Sequence, residues 1–275
     1  MLWLRGHTIA MSGDIDQDLS LAAHIISSSE RLIAFTGAGI SAESGVPTFR
    51  GEGGLWGKMD PGLLDIDRFN ADPAASWAAI RQLFYDAQPD GRRPEPNAAH
   101  RVLADWERDG ILSFLVTQNI DGLHSAAGSR KVAEFHGSTR ELVCRRCGGR
   151  VSATAEALEG GLLDSLPPRC ASCGGVLKPD FVFFGEGIPS EAYSSAFAAA
   201  ESADVCLVVG STGVVYPAAQ VPLLAKRAGA KMIEVDPGDT EFSSSVSDIH
   251  IRLGASEAMT RLDELVRAHW HRASA

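Results

Sequence analysis

Apolar and polar positions along this chain follow two periods. Apolar-rich runs at 32–35, 111–116, 132–135, 205–209, 232–235 and 249–253, unbroken at 32–35 and 205–209 and interrupted by polar residues in the others, end in Gly, polar or small residues and read as buried strands. Between them the apolar positions recur every three or four residues. Leu19, Ala22, Ile25 and Ile26 make one such stripe, with Asp18 or Ser20 as its cap. Asn97 opens a second helix, with Ala99, Val102, Leu103 and Trp106 on one face and Gly110 at its end. Further helices fit 191–202, 217–227 and 256–267, with Pro217 at the first helical position of its segment and Gly229 closing it. A helix over 74–85 sets Trp77, Ile80, Leu83 and Phe84 on one face, either packing on the core or walling a ligand site. Strands alternating with helices predict an α/β fold, a doubly wound parallel sheet. The stretch 139–180 breaks the rhythm and reads as an insertion.

In an open sheet of this kind ligands bind beyond the carboxyl ends of the strands. Those ends are small or polar throughout. Gly37-Ala38-Gly39 follows the first strand and, with Ala42, fits the Gly-x-Gly-x-x-Ala form of the dinucleotide turn. Gly37 is expected to allow the turn, and Gly39 to let backbone approach a pyrophosphate. No acid closes a second strand about 20 residues on, as a dehydrogenase fingerprint requires. The chain runs instead through Ser41, Thr48, Phe49 and Arg50 into a Gly-rich loop ending at Trp56, a candidate cover for a cofactor. Gln118, Asn119, Ile120 and Asp121 follow the second strand, either as groups for ribose hydroxyls and a carboxamide or as an Asx-type turn. His136 follows the third strand and is the candidate base, with His124 as its competitor. Gly210, Ser211 and Thr212 follow the fourth. Asp236 follows the fifth, where a carboxylate suits a ribose diol and disfavours a 2′-phosphate. Ala255 follows the sixth.

Four of the five cysteines lie in the insertion, as Cys144-x-x-Cys147 and Cys170-x-x-Cys173, each pair followed by Gly-Gly. Paired knuckles of this spacing indicate a structural zinc with no open position. Two disulfides or a redox pair fit a cytosolic chain less well. Cys206, inside an apolar strand, reads as core.

Length and charge narrow the class. The 275 residues suffice for a large domain and a small one. A net charge of −10 without a basic cluster argues against a nucleic-acid surface, while a Lys-rich protein tail remains an acceptable partner. No apolar run approaches the ~20 residues of a membrane span, and the first residues lack a signal-peptide core. The expectation is a soluble cytoplasmic protein whose residues 1–16 are a loose lead-in, with Met11 as a possible start.

Taken together these motifs resemble the sirtuins, the NAD-dependent protein-lysine deacylases. The resemblance rests on Gly37 to Ser41, Pro47 to Arg50, Thr117 to Asp121, His136-Gly137, the four cysteines, Gly210 to Thr212, and Lys178-Pro179-Asp180-Phe181-Val182-Phe183-Phe184-Gly185-Glu186. It implies a Rossmann-like domain from 17–50, 97–138 and 182–270, and a small domain from 51–96 and 139–181 holding a helical module and the zinc ribbon. It also implies an NAD site and an acyl-lysine peptide paired as a strand between Val182, Phe183, Phe184, Gly185 and Glu186 on one side and Val214 on the other. By analogy the acyl oxygen attacks the ribose C1′ and nicotinamide leaves. His136 then acts as base towards a ribose hydroxyl, and the products are lysine, nicotinamide and O-acyl-ADP-ribose. Asn119 is expected to order the ribose, Asp121 to hold the carboxamide and Phe49 to shield the intermediate. Three positions depart from the family's habit: Lys178 stands where Arg is usual, Phe183 where many members have Trp, and Asp236 where Asn is common. Ile80 and Leu83 occupy the places of the Tyr and Arg that accept succinyl or malonyl groups, which implies a preference for neutral acyl groups. An NAD glycohydrolase or ADP-ribosyltransferase on the same scaffold, and a non-enzymatic zinc-ribbon binding module, are the alternatives.

Overall fold

The computed structural model describes residues 14–48, 54, 57, 60–86 and 93–273. The chain order is α1 Ile15–Ser27, β1 Leu32–Thr36, α2 Ile66–Ala71, α3 Pro73–Ile80, α4 Ala98–Asp109, β2 Leu112–Thr117, α5 Leu123–Ala127, β3 Val132–Glu134, β4 Gly137–Cys144, β5 Arg150–Ser152, α6 Ala155–Glu159, β6 Leu177–Phe181, α7 Ser190–Ser202, β7 Val205–Val209, α8 Gln220–Ala228, β8 Lys231–Val235, β9 Ile249–Ile251 and α9 Ala255–Ala273. Six strands form one sheet in the order β3-β2-β1-β7-β8-β9, every pair parallel. The order reverses between β1 and β7, which places a crevice at their carboxyl ends.

The sheet is buried on both faces, which is why its central strands β1 and β7 read as almost unbroken apolar runs. The pleat sorts them. Leu32, Ala34, Val205, Leu207 and Val209 face a core shared with α1, α4 and α9. Ile33, Phe35, Cys206 and Val208 face one shared with α7 and α8. Cys206 is therefore core, as its setting in the sequence implied. A third core joins α2 and α3 to the antiparallel sheet β5-β4-β6. Trp77 and Ile80 are fully buried there, and Trp77 Nε1 donates to the Leu177 carbonyl at 2.8 Å.

Several helix boundaries differ from the sequence reading. Asp14, not Asp18 or Ser20, caps α1, accepting from the Asp16 N–H. Inside the helix Ser20 bonds back to the Asp16 carbonyl. Pro217 is not in α8. Gln220 donates to the Pro217 carbonyl and Val221 to Ala218, so 217–219 turn tightly before the helix starts. The segment over 74–85 is α3 plus a π-helical turn, Arg81–Tyr85. Trp77 and Ile80 pack into the small core, as the first of the two readings has it, and Phe84 packs against it edge-on to Phe181.

Ala38–Ser44 forms a 3₁₀ helix rather than the start of an α-helix. Gly37 is extended, with φ −123°, so its use is not the turn. A Cβ on Gly37 would meet the Gly210 carbonyl at 2.6 Å, and one on Gly39 the Gly210 Cα at 2.6 Å. The turn after β1 is pressed backbone to backbone against the turn after β7. Gly39 N–H donates to the Gly210 carbonyl at 2.9 Å.

Candidate active site

The strand ends β1, β2, β3 and β7 are wired together by side chains. Asn119 Nδ2 donates to the Gly37 carbonyl at 3.0 Å and to Ser41 Oγ at 3.2 Å. The Ser41 hydroxyl lies 2.7 Å from Asp121 Oδ2, whose other oxygen accepts the Leu123 N–H. Burial raises the Asp121 pKa, and the Leu123 and Ser41 bonds offset it in part. Gln118 Nε2 donates to Ser211 Oγ at 2.8 Å. Asn119 and Ser211 are buried; Ala38 and Ile120 are partly exposed at the same turns. Along the rim, Asp236 accepts the Gly238 N–H and burial raises its pKa. Glu43 accepts the Ser256 N–H beside Ala255. Thr212, exposed, accepts the Glu241 N–H through its carbonyl. Thr48 is half-buried; Phe49, Arg50 and Trp56 lie outside the described residues.

His136 Nδ1 is 3.0 Å from the Gln118 carbonyl. A carbonyl only accepts, so Nδ1 carries the proton and Nε2 keeps its lone pair. Burial lowers the His136 pKa, partly offset by this bond, and the ring is neutral at pH 7. Its own carbonyl accepts the Val182 N–H at 2.8 Å, so His136 and the start of the 182–186 segment are directly joined.

In that segment the side chains alternate. Phe184 points outward, 49% exposed, with Val214 and Tyr216 also exposed. Phe183 is 1% exposed and lies in the small core, stacked on Phe181 and edge-on to Phe69. As a side chain it does not face the cleft, because neighbours in an extended segment point opposite ways. Glu186 turns inward to Lys178 at 2.8 Å. Below Asn119–Asp121 opens a cavity of 310 Å³, walled by Val46, Pro47, Leu83, Phe84 and Leu158.

The sequence reading missed a buried layer under the Gly turn. Thr36 Oγ1 donates to Thr117 Oγ1 at 2.8 Å, so His124 Nε2, 2.9 Å away, donates to Thr36. His124 is 2% exposed and its Nδ1 has no partner among the described residues, which removes it as a rival to His136. His100, fully buried, packs against it with the rings tilted by 56° and their centroids 4.8 Å apart, and reaches Ser41 at 3.3 Å. The one available signal was Asn97-x-x-His100, which is a capping box.

Burial pushes His100 down to about 4 and His124 well below its ordinary value. Both rings are neutral in the folded protein, whereas unfolded imidazoles titrate near ~6.5. Below that pH the unfolded chain binds more protons, so stability falls as pH drops from 6.5 towards 4, by up to ~1.4 kcal/mol per pH unit for each ring. The denaturant midpoint is expected to fall between pH 7 and 5, and by less in a His124→Gln protein. Imidazole resonances of these rings titrating near 6.5 in the folded state would contradict this.

The four insertion thiols converge. Cys144, Cys147, Cys170 and Cys173 sulfurs all lie within 4.8 Å of one another, with Cys144–Cys173 at 3.4 Å and Cys147–Cys170 at 3.8 Å. Tetrahedral Zn–S bonds of about 2.3 Å set sulfurs about 3.8 Å apart, so the cage fits one zinc.

A parallel sheet with a Gly turn at its switch point, a fixed imidazole beside it and a four-thiolate ribbon defines a nucleotide-binding α/β enzyme with a structural metal module. Residues 37–217 match the Sir2 family, and the chain belongs to it. A protein from Aeropyrum pernix named NAD-dependent protein deacylase is 43% identical over 247 residues, 88% of this chain and 94% of its own. A solved Sir2 enzyme, 41% identical, superimposes with a TM-score of 0.83 over 92% of this chain and 99% of that one. A Sir2 structure holding a p53 peptide and NAD+ is 34% identical, with a TM-score of 0.78, over 89% of this chain and 96% of that one.

Proposed function

We propose that this chain is an NAD-dependent protein-lysine deacylase acting on neutral acyl groups. The observation that carries the reading is His136, held as a neutral Nδ1–H tautomer by the Gln118 carbonyl and joined through its backbone to the segment that would pair with a peptide. NAD is the co-substrate that accepts the acyl group. Ala38, Ser41, Asn119, Ile120 and Asp121 would hold its nicotinamide half. Gly37, Gly39, Gly210, Ser211 and Thr212 would line the phosphates, with Asp236 and Ala255 at the adenosine end. Thr48, Phe49, Arg50 and Trp56 would cover the cofactor. Gln118 would act through the ribose, with Asn119. His136 Nε2 would take the proton of a ribose hydroxyl. The peptide would lie between Phe184, Gly185 and Val214. The cytoplasm is the proposed compartment, since four thiolate ligands suit a reducing milieu.

Two observations support neutral acyl groups. Ile80 is buried in the small core and Leu83 is apolar at the cavity wall. Of the cavity's guanidiniums, Arg140 is paired with Glu134 at 2.6 Å, and Arg93 donates to the neutral Tyr85 carbonyl. A carboxylate on the acyl group would meet no cation at positions 80 and 83, where burying it costs about 2 kcal/mol or more. With NAD and a panel of acyl-peptides, kcat/KM for acetyl is expected to exceed that for succinyl by about 100-fold or more. Comparable rates would refute the preference. The same assay tests the main reading, because nicotinamide release must depend on acylated peptide. Peptide-independent release would indicate a glycohydrolase instead.

A further inference from the structure

We propose that Lys178 is a positioning residue for the peptide: it fixes the segment against which the acyl-lysine chain pairs and ties that segment to the metal ribbon. The inference rests on the deacylase reading.

Lys178 is a lysine buried in an apolar core, its side chain only 7% exposed. A buried ammonium is costly unless all its protons are used. Here they are. Nζ donates to the Pro179 carbonyl at 3.0 Å, the Phe181 carbonyl at 2.7 Å and Glu186 Oε2 at 2.8 Å. The Phe183 ring lies beneath it, 3.9 Å to the centroid. Pairing of β4 with β6 shifts register between Gly137 and Leu142, opposite 179–181. Pro179 and Phe181, whose carbonyls the ammonium reaches, are the β6 residues on either side of that shift.

Glu186 carries the hold forward. Its Oε2 also accepts the Phe183 N–H at 3.0 Å, and the Glu186 N–H returns to the Phe183 carbonyl at 3.0 Å. The 183–186 turn is closed on itself, with Phe183 inward and Phe184 outward. The Glu186 Oε1 lies 3.6 Å from Arg145 Nη1, and Arg145 directly follows the metal ligand Cys144. One carboxylate thus links the knuckle, β6 and the outward-facing Phe184. Glu186, a candidate substrate contact in the sequence, works from behind the segment.

The partners of Lys178 named above, Pro179, Phe181, Phe183 and Glu186, belong to β6 and the 182–186 segment and not to the strand ends that would hold NAD, so its loss should separate the two substrates kinetically. Lys178→Met keeps the length and removes the three donors. It is expected to raise peptide KM about tenfold or more, while NAD KM stays within about twofold and zinc stays at one per chain. Lys178→Arg, which restores a cation, should bring peptide KM back to within about threefold of wild type. Unchanged peptide KM in a zinc-replete Lys178→Met protein would overturn the proposal, as would equal rises in both KM values. If Lys178→Met does not fold, Glu186→Gln carries the same comparison, because it keeps shape and weakens both the Lys178 and Arg145 links. Wild-type protein that releases no nicotinamide with acetyl-peptide would count against the deacylase reading, not against the role of Lys178 in the fold, which hydrogen exchange at the 182–186 amides reads separately: Lys178→Met should speed exchange there and leave β1 unaltered.

Discussion

His136→Ala is expected to lower kcat by on the order of 10³-fold, within the span a positioned general base supplies. NAD affinity, measured by calorimetry, should change less than about threefold, because the Gln118, Asn119 and Ser211 contacts do not pass through the ring. The pH profile adds a second check. The base must be unprotonated, and burial depresses its pKa, so the acidic limb of kcat/KM should lie below ~6.5. A variant retaining a tenth of the activity, or a wild-type limb above 7, would show that another group takes the proton. His124 cannot stand in: its ring is sealed beneath Thr36.

Loss of the metal should have the other large effect. The ribbon contributes Leu142, Cys144, Cys170 and Leu177 to the small core, together with Trp77 and Phe183. Binding free energy at a four-thiolate zinc is folding free energy, about 10 kcal/mol or more in isolated fingers. Cys144→Ser, or chelation of the wild type, is expected to lower Tm by more than about 10 °C and abolish metal stoichiometry. Cys206→Ser is the control. Its thiol lies in β7, away from the cage, so that protein should still bind one zinc whatever its packing loses. A Cys144→Ser protein that melts at the wild-type temperature with one zinc bound would mean the cage is held by something else.

How far the sequence carried depended on whether a feature was local. Buried parallel strands announce themselves as short runs rich in apolar residues, and all six of the main sheet lay where such runs stand, give or take a residue or two. Gly110 and Gly229 close α4 and α8 as expected, both with left-handed backbone, φ +82° and +105°. The thiol cage was equally legible, because ligand spacing in a knuckle is set by a few residues. What escaped was set at long range. Gly39 looked like clearance for a phosphate; its Cβ space is occupied by Gly210, a residue of another strand's turn. The depressed imidazoles of His100 and His124 arise chiefly from burial where two helices meet, which no window on the chain reveals. Lys178 was visible only as an unusual residue type. Its role required knowing that β4 and β6 slip register beside it. The π turn at Arg81–Tyr85 escaped for a related reason, since one additional residue per turn leaves the apolar spacing nearly intact.

The apposed glycines have a consequence for how such a protein can change. Where Gly37 and Gly39 meet Gly210, main chain touches main chain, and no substituent fits. That patch offers selection nothing to vary. Any drift in which nucleotide is preferred must come from the surrounding loops, at positions such as Asp236 or Thr48, while the seam itself stays as it is or the crevice is lost.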